Sequence, residues 1–148
     1  MKRVILLSVL SILLAGAVYA QPVQTVTVAK DASLSPVINL AGGQVGLKAP
    51  ITGLIVIPPA ALEATSYELV LYACADPGGS NCMTMYDASG NLVKGIIHGG
   101  ASPTGAIVFD PSLVAGLWWF KIQIDSNADA GVSQSTAARI FTILTRPL

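Results

Sequence analysis

From Gln21 onward the chain is cut into short apolar segments by Gly, Pro, Asn, Asp and Ser, and no stretch sustains a helical period. Runs of this length between turn residues are strands, because a helix needs apolar positions repeating every three to four residues over ten or more. The segments fall at residues 24–29, 36–40, 51–57, 66–74, 83–86, 91–97, 105–109, 117–125 and 139–145. About nine short strands at such spacing predict an all-β domain, a single antiparallel β-sandwich of jelly-roll-like type.

Residues 117–125 form the one segment with two clearly different faces. Successive strand side chains point to opposite sides. Trp118, Phe120, Ile122 and Ile124 are therefore expected on a core face, with Trp119, Lys121, Gln123 and Asp125 opposite. In 51–57 and 139–145, apolar residues occupy both parities, so the inward face is ambiguous.

The connections carry turn chemistry. Tyr86-Asp87-Ala88-Ser89-Gly90-Asn91-Leu92 reads as a tight hairpin, with Asp87 opening the turn and Gly90 at positive φ. A calcium loop would need further carboxylates at alternating positions, which this segment lacks. Residues 58–64 and 110–116 each read as a short helix beginning with proline, the second ending at Gly116. Segments 99–104 and 125–131 are polar connectors too short to link domains.

The first twenty residues have the composition of an export signal: Lys2 and Arg3, an apolar run from Val4 to Leu14, then small residues up to Ala20. Cleavage there leaves one domain, residues 21–148. An uncleaved membrane anchor is the alternative, at a length slightly short of a bilayer span; no Cys follows the run to take a lipid. Without Lys2 and Arg3, six of the eight Lys and Arg remain against eight Asp and Glu. That balance has no basic stripe for phosphates and excludes nucleic acid as the expected partner. Both cysteines, Cys74 and Cys82, lie in the exported part and bracket a Pro-Gly-Gly loop. In an oxidising compartment they are expected to form a disulfide; free thiols or a metal site are the alternatives, and the chain's single His98 makes the metal version weak.

Chemistry has few candidates. His98 stands beside Gly99 and Gly100 with no serine in a nucleophile-elbow context, and the acids are scattered over turns rather than paired. The protein is expected not to be an enzyme, and no cofactor or metal is expected. Trp119, among Lys121, Gln123 and Asp125, has two readings. One is a platform on which a sugar ring stacks, with Tyr72 on the 66–74 strand as a second aromatic. The other is a ring covered by a loop or another subunit. Both make this face a meeting place with a partner: protein, a second copy, or a surface polysaccharide. A membrane is expected only through an uncleaved leader.

The segments Val28-Ala29-Lys30-Asp31-Ala32-Ser33-Leu34-Ser35, Gly53-Leu54-Ile55-Val56-Ile57-Pro58-Pro59-Ala60, Tyr67-Glu68-Leu69-Val70-Leu71, Met85-Tyr86-Asp87-Ala88-Ser89-Gly90, Val114-Ala115-Gly116-Leu117-Trp118-Trp119-Phe120-Lys121-Ile122 and Val132-Ser133-Gln134-Ser135-Thr136-Ala137-Ala138-Arg139 follow one another along the chain. In order and spacing they resemble a family of small β-rich virion-associated proteins of tailed bacteriophages. The resemblance implies a non-enzymatic, jelly-roll-like module that decorates or joins parts of a particle. The leader and cysteine pair place it outside the cytoplasm, secreted or periplasmic, with virion association as the alternative.

Overall fold

A computed structural model of the protein describes residues 23–40, 51–126 and 131–147. The expected leader and its cleavage site lie outside these residues, as does most of the 125–131 connector. Among the described residues there are nine strands, one at each place the turn spacing marks: β1 (Val23–Val28), β2 (Ile38–Asn39), β3 (Ile51–Ile57), β4 (Glu68–Cys74), β5 (Cys82–Thr84), β6 (Lys94–Ile96), β7 (Ile107–Phe109), β8 (Trp119–Asp125) and β9 (Arg139–Pro147). A single turn of helix, α1 (Pro111–Val114), precedes β8.

The strands make two antiparallel sheets. The first has the order β1-β9-β3-β7; the second runs β2-β8-β4, with β5 and β6 sharing the far edge of β4. Following the chain, β1, β3, β7 and β9 enter the first sheet and β2, β4, β5, β6 and β8 the second. The chain thus shuttles between layers, which is the strand order of a jelly roll. β5 and β6 are two halves of one edge strand, pairing with residues 72–74 and 68–70 of β4. At Leu71 the strand is interrupted: the Met85 N–H donates to the Leu71 carbonyl (3.0 Å), the Leu71 N–H to Val93 (3.1 Å) and the Val93 N–H to Met85 (2.9 Å). A hairpin leaves the sheet at that point.

Alternation fills the space between the layers. Val26, Val28, Leu54, Val56, Ile107, Phe109, Phe141 and Ile143 face inward from the first sheet, and Ile38, Leu69, Leu71, Phe120, Ile122 and Ile124 from the second, all buried. The ambiguity of 51–57 and 139–145 is thereby resolved: Leu54 and Val56, Phe141 and Ile143 point in, while Ile55, Ile57, Ile140 and Leu144 point out. Gly95 of β6 lets the β7 side of the sandwich close, since a Cβ there would lie 2.1 Å from Ile107 Cγ2.

The helix expected over 58–64 does not form. Its donors are taken by distant acceptors instead of by carbonyls four residues back. The Leu62 N–H donates to the Ala101 carbonyl (2.9 Å) as Leu62 enters the core, and the Glu63 N–H donates to Gln134 Oε1 (3.1 Å). Gln134, fully buried, also donates through Nε2 to Ser66 Oγ and the Val132 carbonyl, both at 3.2 Å, clamping this segment to the one before β9. The second expected helix does form, over Pro111–Val114, with Asp110 Oδ1 accepting from the Ser112 N–H at 2.8 Å. β2 is shorter than residues 36–40 because Ser35 intrudes: its Oγ accepts from the Ile122 N–H (3.0 Å) where a backbone carbonyl otherwise would. Proline at 36 has no N–H to offer the ladder.

Cys74 and Cys82 are register partners on β4 and β5 and are joined as a disulfide, with Cα atoms 4.0 Å apart. Closing so short a loop restricts the unfolded chain by about 2.5 kcal/mol. The double variant Cys74→Ser/Cys82→Ser is accordingly expected to lose about that much unfolding free energy in urea, and addition of reductant to the native protein should produce a similar loss.

Candidate functional site

The outer face of the second sheet carries the residues singled out above. Register sets Trp119 beside Cys74, Lys121 beside Tyr72, Gln123 beside Val70 and Asp125 beside Glu68. Tyr72 and Gln123 are brought together: the Tyr72 hydroxyl donates to Gln123 Oε1. Lys121 is turned the other way, its Nζ donating to the Gly79 carbonyl at 3.1 Å. The disulfide loop therefore lies across β8, and Gly79 reaches Val37 beyond it. Trp119 is half-buried, and its indole Nε1 is shielded from solvent without an acceptor.

One expectation for this strand needs correction. Trp118 is not in the core but 41% exposed. β8 begins at Trp119, paired with Asn39, and Trp118 precedes it, its carbonyl accepting from the Leu40 N–H at 2.9 Å. Leu117, on the turn after α1, packs against the core instead. Asp125 is on the outer face as expected and is covered there: it is 3% exposed, with Oδ1 accepting from the Ser126 N–H at 2.7 Å.

Val70 faces outward on β4 yet is only 1% exposed. It forms the floor of a hollow of about 190 Å3 walled by Tyr72, Thr84, Gln123, Asp125 and, from the protruding hairpin, Tyr86 and Leu92. The hairpin wall is held up by Asp87. Its Oδ1 accepts from the N–H groups of Ser89 (2.9 Å) and Asn91 (2.8 Å), and its Oδ2 from the Asn91 side chain (3.0 Å). Gly90 supplies the positive φ, 81°, that closes the turn. The turn chemistry was legible in the sequence; Tyr86, Thr84 and Val70 as site residues were not, because the break in the edge strand that brings them together has no local signal.

Four surface carboxyls sit below the ordinary range. Asp87 is lowered first by the Asn91 side chain, Asp110 by the Ser112 hydroxyl and Glu63 by the Thr136 N–H. For Asp76, burial works upward but is outweighed by donors from Asn81 and Ser80. Each binds its proton less readily folded than unfolded, so its contribution is complete above the unfolded carboxylate range and lost as pH falls through the lower folded value. Thermal stability is expected to be flat from neutrality to about pH 5 and to decline below about pH 4. Asp87→Ala should make that decline shallower.

His98 is exposed, and its backbone carbonyl accepts from the Thr104 N–H at 2.9 Å. Among the described residues no three His, Cys, Asp or Glu side chains are grouped so as to hold a metal ion.

The outer face of the first sheet differs in kind. Register places Val108 beside Ile55, Ile55 beside Leu144 and Leu144 beside Val23, a row of aliphatic side chains crossing all four strands. The next row is Ile57, Thr142 and Thr25; the next, Ile140 and Thr27. Val23, Val108 and Ile140 are 61%, 71% and 58% exposed. At the end of this face, beside Gly53, lies a hollow of about 210 Å3 bordered by Ile55, Val108, Pro111, Leu144 and Arg146. A contiguous apolar sheet face open to solvent marks an interaction surface, whereas scattered apolar residues do not.

No protein-family model and no curated protein sequence matches the chain. Among solved structures it is similar to that of tomato aspermy virus determined by X-ray crystallography, at 12% identity over 100% of this chain and 96% of the other, with a TM-score of 0.40. It is also similar to the mitogen of Yersinia pseudotuberculosis, at 15% identity over 86% and 85% of the two chains, with a TM-score of 0.36. The jelly-roll assignment rests on the strand order.

Proposed function

We propose that the protein is a non-enzymatic structural module that works outside the cytoplasm and associates with a second copy of itself through the outer face of its first sheet. The observation that carries this reading is the unbroken row Val108, Ile55, Leu144, Val23, backed by Ile57 and Ile140. In a sandwich whose outer faces meet only water, those positions alternate to polar residues. Here, apart from Gly53 and Arg146 at one end, they are aliphatic or threonine.

Two arguments favour a second copy over an unrelated partner. Among the described side chains of this face, Arg146 at its end is the only charged one. Two identical faces related by a two-fold axis set like residues near like, which a charged surface would resist and an uncharged one permits. The size also fits a modest self-contact. Four strands about 4.8 Å apart and about six residues long offer roughly 400 Å2 of flat sheet. That is half of the about 800 Å2 per partner that a standard interface buries, so the contact is weak and reversible rather than obligate.

The disulfide suits an oxidising, exported environment, and the segment resemblance to virion-associated proteins suits a module that joins parts of a particle. Sedimentation velocity of the purified protein from micromolar to millimolar concentration tests the reading. A rising weight-average sedimentation coefficient that fits a monomer–dimer equilibrium is expected. A single monomeric species throughout the range would refute it.

A further inference from the structure

We infer that the hollow on the outer face of the second sheet is a binding site for a single carbohydrate ring, independent of the self-association face on the other side of the sandwich. The apolar contacts the hollow can offer come from the rings of Tyr72 and Tyr86 and from Leu92, because Val70 beneath them is covered to 1% exposure. Aromatic rings set beside polar groups suit a pyranose, since one side of the sugar ring is a patch of C–H groups while its edge is hydroxyls that both donate and accept.

The walls supply those partners. Tyr72 and Gln123 are already hydrogen-bonded to each other, so the ring of Tyr72 and the amide of Gln123 are held in fixed places before any ligand arrives. Fixed polar groups bind with less loss of side-chain freedom than mobile ones. Thr84 adds a hydroxyl on β5, and Asp125, a residue only 3% exposed whose Oδ1 accepts from the Ser126 N–H, backs the wall beside Gln123. Tyr86, 62% exposed on the hairpin, presents an aromatic ring at the rim. At about 190 Å3 the hollow is below the 300–1,000 Å3 typical of drug-sized ligands, so it admits one ring and leaves the rest of a chain in solvent. A site of this size binds weakly, and its use lies in multiplicity: a particle or dimer displaying several copies engages a polysaccharide with far greater avidity than one copy does.

The sequence expectation of a sugar platform placed Trp119 at its centre. The hollow instead lies two and four residues further along β8, at Gln123 and Asp125, with Tyr72 as the element common to both. The two are separable by experiment. The intact protein, labelled at its tyrosine and tryptophan rings, is titrated with the methyl glycosides of glucose, galactose, mannose and N-acetylglucosamine, with glycerol as a polyol control. The ring resonances of Tyr72 and Tyr86 are expected to move saturably with at least one glycoside and not with glycerol. Tyr86→Ala, at an exposed position that leaves the fold intact, is expected to weaken that binding about tenfold, and Thr84→Ala should weaken it by a smaller factor. Resonances that stay still with every glycoside, that move equally with glycerol, or that move only at Trp118 and Trp119 would overturn the proposal.

Discussion

Replacing Phe120 with alanine is expected to cost about 3–5 kcal/mol of unfolding free energy, while replacing its neighbour Trp118 costs less than about 1 kcal/mol. Phe120, the second residue of β8, is fully buried in the core cluster, with Ile38 and Ala73 as its register partners on the two neighbouring strands. Removing its ring forfeits the transfer of a large apolar surface and leaves a cavity between two sheets whose backbones cannot both move in to fill it. Trp118 is larger but 41% exposed, in tilted contact with Trp119 at 6.3 Å between ring centroids. Paired denaturant melts measure both. Equal costs for the two substitutions would mean that the Trp118 ring belongs to the core face of β8.

The Trp118 position illustrates what a sequence does and does not reveal. Parity along 117–125 correctly assigned Phe120, Ile122 and Ile124 to the core, because period-two alternation is a local property of any strand. Where the strand begins is not local. It is set by the pairing of Trp119 with Asn39, about eighty residues away, and parity carried one residue past that point gives the wrong side. The strand inventory was legible because each strand is bounded by Gly, Pro, Asn or Asp. The expected helix at 58–64 failed because Gln134 and Ala101, distant in sequence, supply acceptors that no local rule anticipates.

The outer face of the first sheet was hidden for a different reason. Alternation identifies a core face only when the other face is polar. In β3 and β9 both faces are apolar, so Ile55, Ile57, Ile140 and Leu144 looked like core candidates equal to Leu54, Val56, Phe141 and Ile143. The ambiguity was itself the signal: a strand apolar on both sides in an antiparallel sandwich is covered on both sides, or is meant to be. On the second sheet the expected residues were on the right face, but their grouping depended on the interrupted edge strand. Tyr72 and Gln123 came together while Lys121 was drawn to the disulfide loop.

Placing charge on the first-sheet face should have the second large effect. The double variant Val108→Lys/Ile140→Lys is expected to abolish self-association while leaving the monomer's unfolding free energy within about 2 kcal/mol of the native value. Both side chains project into solvent in the single chain, so the lysines remain hydrated there. In the paired form they would be buried without partners and near their own two-fold mates, a cost far above the worth of a contact this size. Sedimentation velocity and thermal melts on the same preparations separate the outcomes. Loss of association with an intact melt supports the face; association unchanged by both lysines would move the interface elsewhere.

The most direct test of the account follows the methyl groups of isoleucine, leucine and valine by NMR as the protein is diluted. The outward and inward residues of β3 and β9 alternate on the same strands, so each outward methyl has a built-in control one position away. Val23, Ile55, Val108, Ile140 and Leu144 are predicted to shift with concentration while Leu54, Val56 and Ile143 stay fixed. Shifts confined to residues flanking Trp118, or to the second sheet, would contradict the claim that the apolar outer face of the first sheet is where two copies of this protein meet.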